Sequence, residues 1–520
     1  MGEPYYTYYT NPKSKTVYVY EAVCYYDHKT KRSQYSRRTL IGHVDKITGE
    51  IVKNREWHKK DTPGESPTLL GANYVVSEIA EALNLKEDLK ALAPEDYDNI
   101  LALATCFLFN KSGVSVDIEF WKRFNYLEPD MSLNSQRISE LYERLSHLDL
   151  EPFFELRMKE INEARLYFDS TSLNSHSENI ELDKCGKSED EVSLPQINLA
   201  ILLNSETELP VWFEEFPGNV VDVSLKKHLM RQTEYYHIEK LSLCLDRGFD
   251  SKSNIETMLS EQFKFIIGLI SSTEKVKPLI KEHACATRDQ TNYDARTNAY
   301  CMQVDYPITI SYRNPDNTSV TQTAILKANL YYSVERYRDE LNAFNKNFEE
   351  LKSHLDDVKP EKKLEMLIKK YFIKTSEGYQ INKQVVQEEV EHFGFFAILS
   401  SENNLTAKEV LEIYRSKDAI EKVFSIVKSD LDFLTTKVRN IETLRGKLLC
   451  IFTALILRAE IIKRLRKAAL PAKDTLERAL NVLAMINGKI KKNGTFTYRK
   501  PTKRQSDYLN ALKIPFTNDP

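Results

Sequence analysis

Between residues 164 and 269 the chain reads as three strands in succession, then as helix alternating with strand. ARLYFDST, LPQINLAILLN and LPVWFEEF are short, aliphatic and aromatic runs, the last two joined by the polar SETE. VSLKKHLMRQTEYY follows as a helix, KLSLCLD as a strand, SKSNIETMLSE as a helix and FKFIIGL as a strand. That order predicts a mixed α/β sheet with helices on its faces. Strands return at GFFAILSS, after a block from about 272 to 390 that interrupts the pattern. The block holds a hairpin, ITISYRNPDNTSVTQTAIL, turning at NPDN, and long polar helices such as SVERYRDELNAFNKNFEEL.

The flanks differ in texture. Residues 5–60 are rich in Tyr, Val and Thr and alternate well enough for short strands, with DKITGE as a turn. DTPGESPT reads as a linker. From 70 to 160 the pattern is helical: Val75, Ile79 and Leu83 step by four, Pro94 opens a helix, and SQRISELYERL starts from a Ser cap. The predicted organisation is a β-rich basic region (1–65), a helical domain expected to bind DNA (66–160), an α/β core (161–271 and 391–460), an insertion (272–390) and a basic helical C-terminal region (461–520).

Composition bounds the function classes. Net charge is −3, but residues 463–504 carry 13 Lys/Arg against Asp474 and Glu477, and residues 11–60 carry 12 against five Asp/Glu. Basic ends suit a protein that grips phosphates at its periphery, and equally a merely solubilising surface. The seven cysteines are dispersed without a CxxC pair, which argues against a zinc site or a disulfide framework; His283 and Cys285 alone do not make a metal site. MGEPYYTYYT lacks the basic start and apolar run expected of a signal peptide, and LLCIFTALIL is too short for a bilayer and reads as a buried helix. The expected location is the cytoplasm.

The chemistry points to three carboxylates. Asp169 is read at the end of the strand YFD, and Asp246 ends LSLCLD before RGF, a turn that Gly248 eases. Strand ends are where open α/β sheets place their sites, although Asp there is commonly a turn residue. The third carboxylate is Glu421 in YRSKDAIEKVFSIVK. At about 100° per residue, Tyr414, Lys417, Glu421 and Lys428 share an arc roughly 60° wide. Ile420, Val423 and Val427 make a separate apolar stripe. The plain reading of that arc is a solvated charged face. The functional reading is a hard-oxygen site for Mg²⁺ or Mn²⁺, with lysines for phosphate oxygens and a tyrosine to hydrogen-bond or stack.

These residues resemble the DDE transposases of bacterial insertion sequences, in the IS-four-like branch marked by Y-x2-R-x3-E-x6-K. The signature reads here as Tyr414, Lys417, Glu421 and Lys428, with every spacing kept and Lys417 where Arg is usual, which gives up a bidentate phosphate contact. YFDST resembles the first-Asp strand and CLDRGFDS the second-Asp motif. The segment CGKSEDEVSLPQINLAILLNSETELPVWFEEFPGNVVD, and the helix RGKLLCIFTALIL with Lys447 where relatives often carry His, extend the likeness over roughly 160–460. The resemblance implies a ribonuclease-H-like core with a β-rich insertion between the second Asp and the Glu. It implies Asp169, Asp246 and Glu421 as the catalytic, metal-binding triad for two Mg²⁺ or Mn²⁺ ions. It further implies cleavage at terminal inverted repeats, strand transfer into target DNA and a DNA-bridged homodimer on the bacterial nucleoid. Arg247 joins Tyr414, Lys417 and Lys428 as a candidate DNA contact. A DNA-binding relative that has lost catalysis, or a nuclease of the same core without strand transfer, are the alternatives.

Other residues read as structural. Trp212 is a core residue between Val211 and Phe213, and Asn219 after Pro217-Gly218 a turn residue. Ser172 with His176 lacks a nucleophile elbow. Lys187 lacks the glycines of a phosphate loop.

Overall fold

The structure is a computed structural model that describes all residues except 1–4, 13, 28–31, 46–48, 54–67, 111–114, 130–133, 160–164, 176–194, 218–241, 261, 272, 274, 314–318, 356–361, 377, 432–435, 439, 469, 472–473, 491–495 and 517–520. The chain packs as two units: Met1–Thr68 with Asn487–Lys500 and Thr517–Pro520, and Leu69–Ile486 with Pro501–Phe516.

The smaller unit carries an antiparallel sheet of β1 (Tyr5–Thr10), β2 (Val17–Asp27), β3 (Arg32–Val44) and β4 (Ile51–Lys53), in that order. The DKITGE turn is closed by Asp45 and Glu50, whose N–H and C=O pair at 2.8 Å, with Gly49 at φ +74°. A two-residue strand, β5 (Thr68–Leu69), follows in the chain.

The larger unit begins with helices α1 (Gly71–Ala82), α2 (Leu85–Leu92), α3 (Tyr97–Asn110), α4 (Ser115–Lys122), α5 (Ser135–Leu145) and α6 (Glu151–Met158). The cap of α5 is Asn134, one residue before the expected Ser135: its side chain accepts from Arg137 N–H at 2.9 Å. Asn and Ser serve equally well at that position.

The main sheet is built from β6 (Arg165–Asn174), β7 (Gln196–Asn204), β8 (Pro210–Pro217), β9 (Ser242–Leu245), β10 (Lys264–Leu269), β11 (Tyr293–Asp294), β12 (Ala299–Arg313), β13 (Ser319–Tyr332) and β16 (Phe395–Ser400). A small hairpin, β14 (Phe372–Thr375) with β15 (Gly378–Ile381), stands apart from it. Among the described residues the order is β11-β12-β13-β16-β10-β9-β6-β7-β8. Pairs β6/β9 and β9/β10 are parallel and the rest antiparallel, so the sheet is mixed, as expected. The hairpin of the 272–390 block continues this sheet through β13 and β16; its NPDN turn lies outside the described residues.

Every residue of β7 is buried, as a strand covered on both faces requires. Beside it, β8 packs against α14 (Ile441–Lys467), which holds the LLCIFTALIL run as a buried core helix. Phe452 of α14 meets Phe213 of β8 at 4.8 Å between ring centres, and Phe154 of α6 meets Phe213 at 5.5 Å. Trp212 is buried beside Phe154, as its core reading predicts. Such aromatic pairs add about 1 kcal/mol each beyond the area they bury. No described helix is long and apolar enough to cross a membrane.

Candidate active site

The parallel pairing of β6 and β9 sets the first half of the site. Arg165 registers with Ser242, Leu166 with Leu243 and Tyr167 with Cys244. Continuing that register by two residues brings Asp169 beside Asp246. β9 stops at Leu245, and Asp246 leads into a short 3-10 turn, Arg247–Phe249. Asp169 does not end its strand as read from sequence. β6 runs on to Asn174 because β7 keeps pairing with it as far as Gln196. Gly248 has open space around it and no positive φ, so the turn does not depend on a glycine.

The second half comes from the segment after β16. Thr406 and Glu409 form a reciprocal capping box that starts α12 (Ala407–Ser416). The expected single helix over 414–428 is instead three pieces: α12, α13 (Asp418–Ser425) and a π-helical turn, Ile426–Asp430. Lys417 is the joint. Its N–H reaches Tyr414 C=O at 3.2 Å, and Ile420 N–H reaches Lys417 C=O at 2.9 Å, the tighter spacing of a 3-10 turn. The apolar stripe holds, with Ile420, Val423 and Val427 buried.

At the joint, Lys417 turns inward rather than toward solvent. It is 3 % exposed. Its Nζ lies 3.2 Å from Asp169 Oδ2, 3.5 Å from Glu421 Oε1 and 4.0 Å from Asp246 Oδ1. One ammonium thus gathers three carboxylates, from a strand, the turn after a second strand, and a helix. Burial by itself would lower the Lys417 pKa, but the charges of Asp169, Asp246 and Glu421 and the hydrogen bond to Asp169 hold it above its ordinary value. Burial pushes the Asp169 carboxyl up, against the pull of Lys417 and the Ser170 N–H.

The Tyr414 hydroxyl donates to Asp246 Oδ1 at 3.1 Å. Burial, and then the Asp246 charge, raise the phenol's pKa, so it stays a donor. Room for the ring comes from Gly268 on β10, where a Cβ would meet the phenol. A cleft of about 680 Å³ opens here, lined among others by Asp246, Glu421, Arg247, Lys277, Arg336 and Phe396. Arg247 is exposed on its rim. Lys428 is carried off in the π-helical turn, half-buried, and makes none of these contacts. His176, Lys187 and Asn219 lie outside the described residues.

Three further residues bear on the site without a signal in their own sequence context. Arg165, Ser242 and Glu402 form a closed triad: Arg165 Nη2 to Glu402 Oε1 at 2.7 Å, Arg165 Nε to Ser242 Oγ at 3.1 Å, and Ser242 Oγ to Glu402 Oε1 at 2.9 Å. Lys447, buried in α14, donates to Thr436 C=O at 3.0 Å, and Thr436 N–H in turn reaches Asn174 C=O at the end of β6.

As donors, three carboxylates suit a hard divalent cation. Among the described residues, however, no group of three His, Cys, Asp or Glu side chains is arranged to hold a metal ion. The carboxylates are spaced around the Lys417 ammonium instead.

Among solved structures the chain is similar to one titled as a cryo-EM structure of piggyBac transposase synaptic complex with hairpin DNA. The identity is 11%, with a TM-score of 0.38, over 87% of this chain and 82% of that one. No curated protein matches the chain. Residues 163–457, more than half of the 520, match the family described as the transposase DDE domain, a span that contains Asp169, Asp246, Glu421 and the whole of the Tyr414–Lys428 stretch. The chain belongs to the transposase DDE domain family.

Proposed function

We propose that this chain is an active transposase with a ribonuclease-H-like core, which cleaves DNA at the ends of its element and joins those ends to target DNA. The observation that carries this reading is the meeting of Asp169, Asp246 and Glu421 around a single point, Lys417 Nζ. The three carboxylates are the groups that would hold Mg²⁺ or Mn²⁺. When bound, such ions supply charge neutralisation and an activated oxygen nucleophile for phosphoryl transfer. Arg247 and Lys428 serve the DNA backbone as counter-charges, and Tyr414 orients Asp246 through its hydroxyl. In cleavage a water oxygen bonds to phosphorus and the P–O3′ bond breaks, leaving a 3′-hydroxyl. In joining, that hydroxyl attacks a target phosphate and a target 3′-oxygen leaves.

Residues 66–160 and the basic stretches at either end are proposed to bind the DNA flanks, in a homodimer bridged by DNA. The Lys/Arg excess in 463–504 supports this part of the reading. The test is cleavage and joining of DNA carrying the native flanks, with Mg²⁺ or Mn²⁺, for the wild type and for Glu421→Gln. The expected result is cut and joined products from the wild type, neither from the variant, and equal DNA binding by both. Binding without cutting by the wild type would make it a DNA-binding relative, and free ends without joined DNA a nuclease.

A further inference from the structure

Lys417 has a position that a phosphate-binding lysine does not need. It is buried, and all three carboxylates lie within 4.0 Å of its Nζ. Three carboxylates drawn together repel one another, and without a counter-charge one of them must protonate or move away. The ammonium supplies that charge from within the chain. A divalent cation supplies more of it to the same oxygens, and it cannot share so small a volume with an ammonium.

We propose that Lys417 is a displaceable counter-ion. In the metal-free chain it holds the place of the cation; it withdraws when the cation binds, and a DNA phosphate then takes it as a partner. This rests on the transposase reading and deepens it. Lysine suits the role because it is a compact charge on a flexible four-carbon stem, whereas arginine is a rigid fork. The joint between α12 and α13 gives the stem a pivot, and the cleft beside Asp246 and Glu421 gives it somewhere to go. Withdrawal into the cleft costs the ammonium three partners, and a phosphate there restores one. Cation and DNA therefore bind with positive coupling, each raising the affinity for the other by the same factor.

The first test uses the wild-type chain without DNA. Limited acetylation followed by mass spectrometry reads the reactivity of each lysine with and without Mn²⁺. Lys417 is expected to be protected alone and several-fold more reactive with Mn²⁺, while Lys422, exposed on α13 in either case, stays constant. Adding a short duplex together with Mn²⁺ returns Lys417 to protection. The second test is calorimetry of Mn²⁺ binding to the wild type and to Lys417→Met, expected to differ by about tenfold in favour of the variant, or about 1.4 kcal/mol. Mn²⁺ binding that leaves Lys417 reactivity unchanged overturns the proposal, as does failure of both proteins to bind Mn²⁺. If the variant does not fold, the acetylation result decides alone. Exchange of Lys417 for Mn²⁺ in a chain that never cuts DNA would sink the transposase reading but not the counter-ion, and cutting with Lys417 protected throughout would do the reverse.

Discussion

A Cβ atom on Gly268 would collide with the phenol of Tyr414, with the ring's Cζ at 2.9 Å. Gly268 lies on β10, next to β9, which stops one residue before Asp246, and its register partner on β16 is Ile398. The missing side chain leaves the space through which Tyr414 reaches Asp246.

Gly268→Ala should therefore act through the tyrosine. A hydrogen bond to a charged group is worth about 1.5–3 kcal/mol, so the expected loss of DNA cleavage is about 10- to 100-fold. Tyr414→Phe should cost a similar factor. The decisive measurement is the double variant. If the glycine works through Tyr414, the pair costs no more than the worse single change, and additive losses would refute the link.

The Arg165–Ser242–Glu402 triad touches all three segments that bear the carboxylates. Arg165 stands four residues before Asp169 and Ser242 four before Asp246, while Glu402 stands four before the Thr406 cap of α12. Glu402→Ala strands a mostly buried guanidinium, and denaturant unfolding should show a loss of about 3–5 kcal/mol. Replacing both Arg165 and Glu402 by Met should recover most of it. If the double variant is as unstable as the single, the cost lies in packing rather than in the stranded charge.

Gly446 and Gly248 make opposite predictions. A Cβ on Gly446 of α14 would press into the Tyr142 backbone of α5, with its carbonyl carbon at 2.6 Å, so Gly446→Ala forces the two helices apart. Overpacking of this kind costs about 1–3 kcal/mol. Gly248→Ala meets nothing within 4 Å, and its unfolding midpoint should match the wild type. Equal effects at both positions would contradict the packing described here.

Acid should loosen the C-terminal helix. The hydroxyl of Tyr508 reaches Asp474 Oδ1 at 2.7 Å and Arg504 reaches it at 2.5 Å, from α16 (Lys503–Ala511). These bonds, Tyr508 first and then Arg504, hold the Asp474 carboxyl below its ordinary value of 3.8. A depressed carboxyl binds fewer protons folded than unfolded. Its stabilisation is thus present above the unfolded value and is lost as pH falls through the lowered folded one. Protection of the 503–511 amides from hydrogen exchange, taken relative to the intrinsic rate at each pH, should fall in that acid window for the wild type. In Asp474→Asn that protection should already be lower at neutral pH and stay flat across the window. A wild type insensitive to acid would count against the contact.

The chain's local pattern determined the kinds of element and the chemistry available. Strand-length apolar runs between helical ones specified a mixed sheet, because side-chain periodicity is a local property. The spacing of Tyr414, Lys417 and Glu421 put those groups near one another, since neighbours on a helix share a face. Tertiary structure decided the rest. Asp169 became an interior strand residue because β7 extends the pairing of β6, a contact across chain that no local pattern records. The helix over 414–428 broke at Lys417 and widened before Lys428, which moved one lysine into the carboxylates and the other away from them. Gly268 and Glu402 gained their meaning only when β10 met α12 and when β16 handed the chain to α12 beside β6 and β9. A wheel assumes one uninterrupted helix, and burial of a charge depends on partners distant in sequence. The identities of the groups were therefore legible along the chain, and the place of the ammonium among the three carboxylates was not.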